Sequence, residues 1–138
     1  MTTTKSIEQM LAENGVCVSG VIGTSMLPML RQGEDRVLLV RPSFPLRPDS
    51  VALYRSGSNY VLHRVIRRRN GVYLIRGDNC AADEFVPEQE ILGVLSGFWR
   101  GKAYHDCTGE ENAAFAKKAK KTLPLRRIKA ALAAWINR

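Results

Sequence analysis

The sequence predicts a mainly β domain with a short helix before it and helices after it, and three observations carry that prediction. Between Gly15 and about Arg100 the apolar residues come in short runs rich in Val, Ile, Leu and Tyr, broken by Gly, Pro, Asn and Asp. Within that stretch Asn70-Gly71 separates two such runs, and this pair is the usual signature of a two-residue hairpin turn with positive φ at both positions. Beyond Cys107 the composition changes to Ala, Lys and Leu at helical spacing.

Taken in order, "KSIEQMLAENG" puts Ile7, Met10 and Leu11 on one helical face and stops at Asn14-Gly15, so residues 1–14 form an N-terminal helix unit. Residues 15–107 form the β domain, with strands expected at "VCVSGVI", "DRVLLVR", "SVALYR", "NYVLHRVIRRR", "VYLIR" and "ILGVLSGFW". The three prolines of "RPSFPLRPD" make that segment a loop. Residues 108–138 form a basic helical tail. There Thr108 and Glu111 fit a capping box, and Pro124 restarts the chain as the first turn of a second helix. That second helix places Leu125, Ile128, Leu132, Trp135 and Ile136 on one face.

Charge and composition narrow the function. The net charge of +8 is concentrated at one end: residues 117–138 carry eight basic residues and no acidic one, leaving the rest neutral by count. A neutral body argues against a nucleic-acid partner. The tail suits either a docked helix or peripheral contact with an anionic membrane. No window approaches the roughly 18–20 apolar residues of a membrane span, and the N-terminus has no secretory apolar core. The location expected is cytoplasmic, with membrane contact at most peripheral. Cys17, Cys80 and Cys107 lack metal-ligand spacing and read as free thiols, and no cofactor is expected.

The hairpin geometry singles out a histidine. With a two-residue loop at Asn70-Gly71, Arg69 faces Val72, Ile66 faces Ile75 and His63 faces Asp78, with opposed Cβ atoms roughly 4.5–5.5 Å apart. A carboxylate there favours imidazolium and fixes the tautomer, the arrangement of a general base and its orienting acid. A bulge at Gly77, beside Asp78, would shift the register by one and break the pairing. Ser25, in "GTSMLP", is the candidate nucleophile. The nucleophile elbow fails because Leu27 stands where Gly is required, and S-x-x-K fails because Pro28 stands where Lys is required. What remains is a serine served by a distant base.

At these residues the chain resembles the type I signal peptidase and LexA-like serine peptidase superfamily. "GTSMLPML" resembles its nucleophile box, "RPDSVALYR" the turn and strand that follow, and "YVLHRVI" its base-bearing strand in the His form of endoplasmic-reticulum-type signal peptidases. "IRGDNCAADE" resembles the Gly-Asp-Asn box with a second acid. These lie in order across residues 15–101. The resemblance implies coiled antiparallel sheets that bind an extended peptide or precursor-protein segment as an added strand, with small pockets for small side chains before the cut. It makes Ser25 the nucleophile and His63 the general base, with Asp78 or Asp83 as the orienting acid. It assigns oxyanion and substrate binding to Gly23, Thr24, Ser25, Met26 and Pro28, with the Ser25 N–H as one donor. Gly23 stands where many bacterial relatives carry a helping hydroxyl. The implied activity is a serine endopeptidase without a transmembrane anchor. Two other functions fit the same residues. One is a peptide-binding module without turnover; the other is a LexA-like regulator using Arg67–Arg69 and the tail, although only about fourteen residues precede the peptidase-like part.

Overall fold

The computed structural model describes residues 5–137, so expectations for residues 1–4 and Arg138 lie outside the described residues. Helix α1 (Ile7–Asn14) opens with a reciprocal Ser6–Gln9 capping box and closes at Gly15, whose φ of 78° lets its N–H return to the Leu11 carbonyl. Eight strands follow: β1 (Val16–Gly20), β2 (Asp35–Val40), β3 (Val51–Ser56), β4 (Asn59–Arg69), β5 (Val72–Arg76), β6 (Glu84–Pro87), β7 (Ile91–Arg100) and β8 (Ala103–Asp106). They form one antiparallel sheet in the order β1-β2-β7-β3-β4-β5-β6, with β8 added on β7. The sheet does not close on itself. The fold is mainly β, as the sequence predicts.

The centre of the sheet is buried on both faces, and strand periodicity divides its residues between two cores. Val51 and Leu53 of β3 join Leu11, Met29, Leu39 and Phe98 in one cluster. Ala52 and Tyr54 join Val65, Tyr73, Ile75 and Ile91 in the other. A strand buried on both sides reads as the continuous apolar run "VALY".

Three local expectations are corrected. The β4–β5 ladder keeps the predicted register from Arg69↔Val72 to Arg67↔Leu74, then Ile66 bulges out and Val65 faces Ile75. His63 therefore does not face Asp78. The tail is one helix, α2 (Glu110–Ile136), with Pro124 inside it rather than at a fresh start. A proline removes a single intrahelical hydrogen bond, and the Ala, Lys, Leu and Arg around it are strong enough helix formers to carry the helix past it. The N-cap is Gly109, not Thr108. The Thr108 hydroxyl binds the Asp106 carboxylate at 2.8 Å and 2.9 Å, and Glu111 turns to His105 Nδ1 at 2.9 Å.

Candidate active site

Ser25 lies in the turn that leaves β1. Gly23 begins it with φ of 85° and gives its N–H to Gln32 Oε1 at 2.6 Å. A turn hydrogen bond from Leu27 N to Thr24 O at 3.2 Å, and the buried side chains of Met26, Met29 and Leu30, hold the rest. Pro28, exposed, completes the bend. The next grip comes from the loop after β5. Asn79 gives its backbone N–H to Ser25 O at 2.9 Å and its side-chain amide to Thr24 O at 3.1 Å. Asp78 gives its N–H to Met26 Sδ at 3.4 Å. Every carbonyl from Thr24 to Met26 is thereby engaged, while the Ser25 N–H meets no acceptor among the described residues.

Gly77 lets these segments meet. A Cβ on it would lie 2.6 Å from Cys80 Sγ, 2.8 Å from Ser25 O and 3.1 Å from His63 Cδ2. The serine turn and the imidazole thus both close on the place a side chain would take at this glycine.

His63 is set by β4, which pairs with β3 so that His63 faces Ala52 and Val61 faces Tyr54. Tyr54 is then the diagonal neighbour of His63 on the same face, within reach for a long side chain. Its hydroxyl is 3.0 Å from His63 Nδ1 and donates to Glu84 Oε1 at 3.2 Å; Glu84 Oε1 is itself 3.9 Å from Nδ1. A phenol has one proton. Donated to the carboxylate, it leaves the Tyr54 oxygen to accept from Nδ1–H, and the neutral ring then carries its lone pair on Nε2. Burial, and then the neighbouring Glu84, push the Tyr54 phenol well above its ordinary range, so it keeps that proton. Burial lowers the His63 pKa below its usual value, against the opposing pull of Glu84 and Asp78. The imidazole is neutral at neutral pH.

The two acids expected to orient His63 do other work. Asp78 is buried and takes Arg64 in a two-pronged bond, Nε to Oδ1 at 2.7 Å and Nη2 to Oδ2 at 2.8 Å. The Ile66 bulge explains it: Arg64 now faces Arg76, so Asp78 two residues on shares the face of Arg64 and not of His63. Asp83 pairs with Arg76 Nε and, at 3.5 Å, with Arg127 of α2. The acid nearest His63 is Glu84, one residue beyond Asp83. Sequence reasoning missed both Glu84 and Tyr54. Tyr54 was within reach of it, because "SGSN" at residues 56–59 is a two-residue hairpin loop, and reading that register gives the Tyr54–His63 diagonal. Glu84 was not, since it depends on β6 joining β5 through Ile75↔Glu84.

Ser25 and His63 line one cavity of about 480 Å³. Its floor is apolar, from Met26, Leu30, Leu39, Leu53 and Leu62 among others. Residues 19–23, at the end of β1, form one wall and residues 58–63, at the start of β4, form another. Among the described residues both walls are strand edges without a neighbour on the cavity side: β1 pairs only with β2, and β4 meets β5 only from Arg64 onward. No hydrogen bond joins Ser25 Oγ to His63 among the described residues. Nor do those residues include a group of three or more His, Cys, Asp or Glu side chains placed to hold a metal ion. No protein-family model matches this chain, and no curated protein sequence matches it.

Proposed function

We propose that the chain is a serine endopeptidase acting on extended segments of peptides or precursor proteins, in the manner of the signal peptidase and LexA-like enzymes its motifs resemble. The observation that carries the reading is the shared cavity, with Ser25 and His63 on its lining and unpaired strand edges on both sides. His63 takes the Ser25 proton on Nε2, Ser25 Oγ attacks the carbonyl, and the Ser25 N–H stabilises the oxyanion. The imidazolium then protonates the leaving amine, and water hydrolyses the acyl-enzyme. Tyr54 and Glu84 hold the base in its working tautomer, and Asp78 positions the loop that grips Ser25. The substrate adds as a strand along the edges of β1 and β4. The cavity exceeds what methyl-sized side chains fill, so it selects for apolar character more than for smallness.

Ser25→Ala and His63→Ala are each expected to lower peptide turnover by roughly 10³-fold or more. A serine-directed phosphonate should label Ser25, located by mass spectrometry, and labelling should be lost in His63→Ala. Near-normal turnover in either variant would overturn the assignment. A peptide-binding module without turnover is the second reading, favoured by the missing Ser25–His63 hydrogen bond. It predicts peptide binding with no labelling at all.

A further inference from the structure

As far as Arg126, helix α2 turns one strip to the body and another to solvent, and from Arg127 to Asn137 it is exposed on every side. At about 100° per residue, Asn112, Ala116, Ala119 and Arg126 share the strip that faces the sheet. Asn112 and Ala116 are buried, and Asn112 gives its amide to Asp49 O at 3.1 Å. Arg126 Nε binds Cys80 O at 2.7 Å and Arg127 Nε binds Ala81 O at 3.3 Å, so the helix is locked in rotation against the loop beside Ser25. The opposite strip starts with Lys117, Lys118 and Lys121 and continues with Leu125, Ile128, Leu132, Trp135 and Ile136. Those five apolar residues are each between 53% and 70% exposed. Of the two alternatives the sequence leaves open for the tail, the apolar face does not dock on the β body; arginines make the contact there instead.

We propose that this outward strip docks the protein on an anionic lipid surface, with the lysines at the headgroups and the Leu125–Ile136 segment sunk into the interface. Charge selects this occupant. The helix from Lys117 onward has basic residues and no acidic one, so a second copy laid along the same strip would set like charges together. Lysines and a tryptophan bordering a continuous aliphatic strip match a surface that is anionic outside and apolar beneath. No helix among the described residues is long and apolar enough to cross a membrane, so the contact is peripheral. The proposal stands on α2 alone and does not depend on the chemistry assigned to Ser25.

The test is co-sedimentation of the full chain with phosphatidylcholine vesicles, with and without phosphatidylglycerol, alongside hydrolysis of a soluble peptide. Binding is expected only with phosphatidylglycerol, weakening as salt rises. Leu132→Glu combined with Trp135→Glu, both at exposed positions, should lower the bound fraction about tenfold or more and leave peptide hydrolysis unchanged. Replacing Lys117, Lys118 and Lys121 with Gln should remove the preference for phosphatidylglycerol. No binding, or equal binding to both vesicles, would overturn the proposal. So would concentration-dependent self-association abolished by the Leu132/Trp135 pair, which would show that a second copy covers the strip. Failure of hydrolysis with vesicle binding intact would count against the peptidase reading alone.

Discussion

Tyr54 has one hydroxyl proton and two neighbours that could take it, and the outcome decides which nitrogen of His63 can act as a base. The hydroxyl keeps its proton and donates the hydrogen bond to Glu84 Oε1. The sign of its removal follows from the two influences on the ring: burial disfavours imidazolium, and Glu84 favours it. In Glu84→Gln only burial and the smaller pull of Asp78 remain, so on the proposed peptidase reading the acid limb of the activity profile should move to lower pH. Turnover on the plateau should fall about tenfold, because an amide no longer secures the tautomer. A profile of kcat/KM between pH 4 and 9 measures both, and an unmoved limb would remove Glu84 from the site. At this scale local motifs single out Ser25 and His63, and the two line one cavity. Their partners were not legible in the sequence. Asp78 and Asp83 also had the right motif positions, yet each is claimed by an arginine that only the folded chain brings near.

Among the elements, the strands with strong β-branched and aliphatic runs were all legible, as was α1 with its stop at Asn14-Gly15. Strands β6 and β8 were not: "EFVP" and "AYHD" are only four residues long and lack an alternating apolar pattern, and they exist because β5 and β7 offer them an edge. The Ile66 bulge has no sequence signal of its own, which is why a correct turn at Asn70-Gly71 still led to a wrong partner for His63. The turn after β5 is the element on which the site depends most closely. Gly77→Ala would push a methyl into Ser25 O and Cys80 Sγ, and the first of these is backbone that cannot swing aside. The expected result is a folded protein with turnover reduced at least about tenfold and phosphonate labelling of Ser25 slowed to match. Gly77 is not at positive φ, so the loss would be steric, and unchanged labelling would show that the turn yields.

Across the whole molecule, one buried ion pair gathers segments far apart in sequence. Arg64, nearly inaccessible, holds Asp78 from the site loop, the Asp49 carbonyl from the β2–β3 loop and the Asn112 amide oxygen from α2. Asp78→Asn would leave the guanidinium charge buried without its counter-ion, at a cost of about 3–5 kcal/mol, against total stabilities of about 5–15 kcal/mol for domains of this kind. Urea unfolding should register that loss. A Ser25→Ala protein, by contrast, should unfold at nearly the wild-type midpoint.

The open edges of β1 and β4 have a consequence for what such a cleft admits. An edge reads backbone donors and acceptors, and in a folded protein those groups are already committed to their own helices and sheets. Under the proposed reading, a segment must be unfolded, or a linker between folded parts, before its side chains are inspected at all. The cleft would sort its clients first by conformational state and only then by sequence, which spares finished proteins that carry a matching stretch inside a folded core.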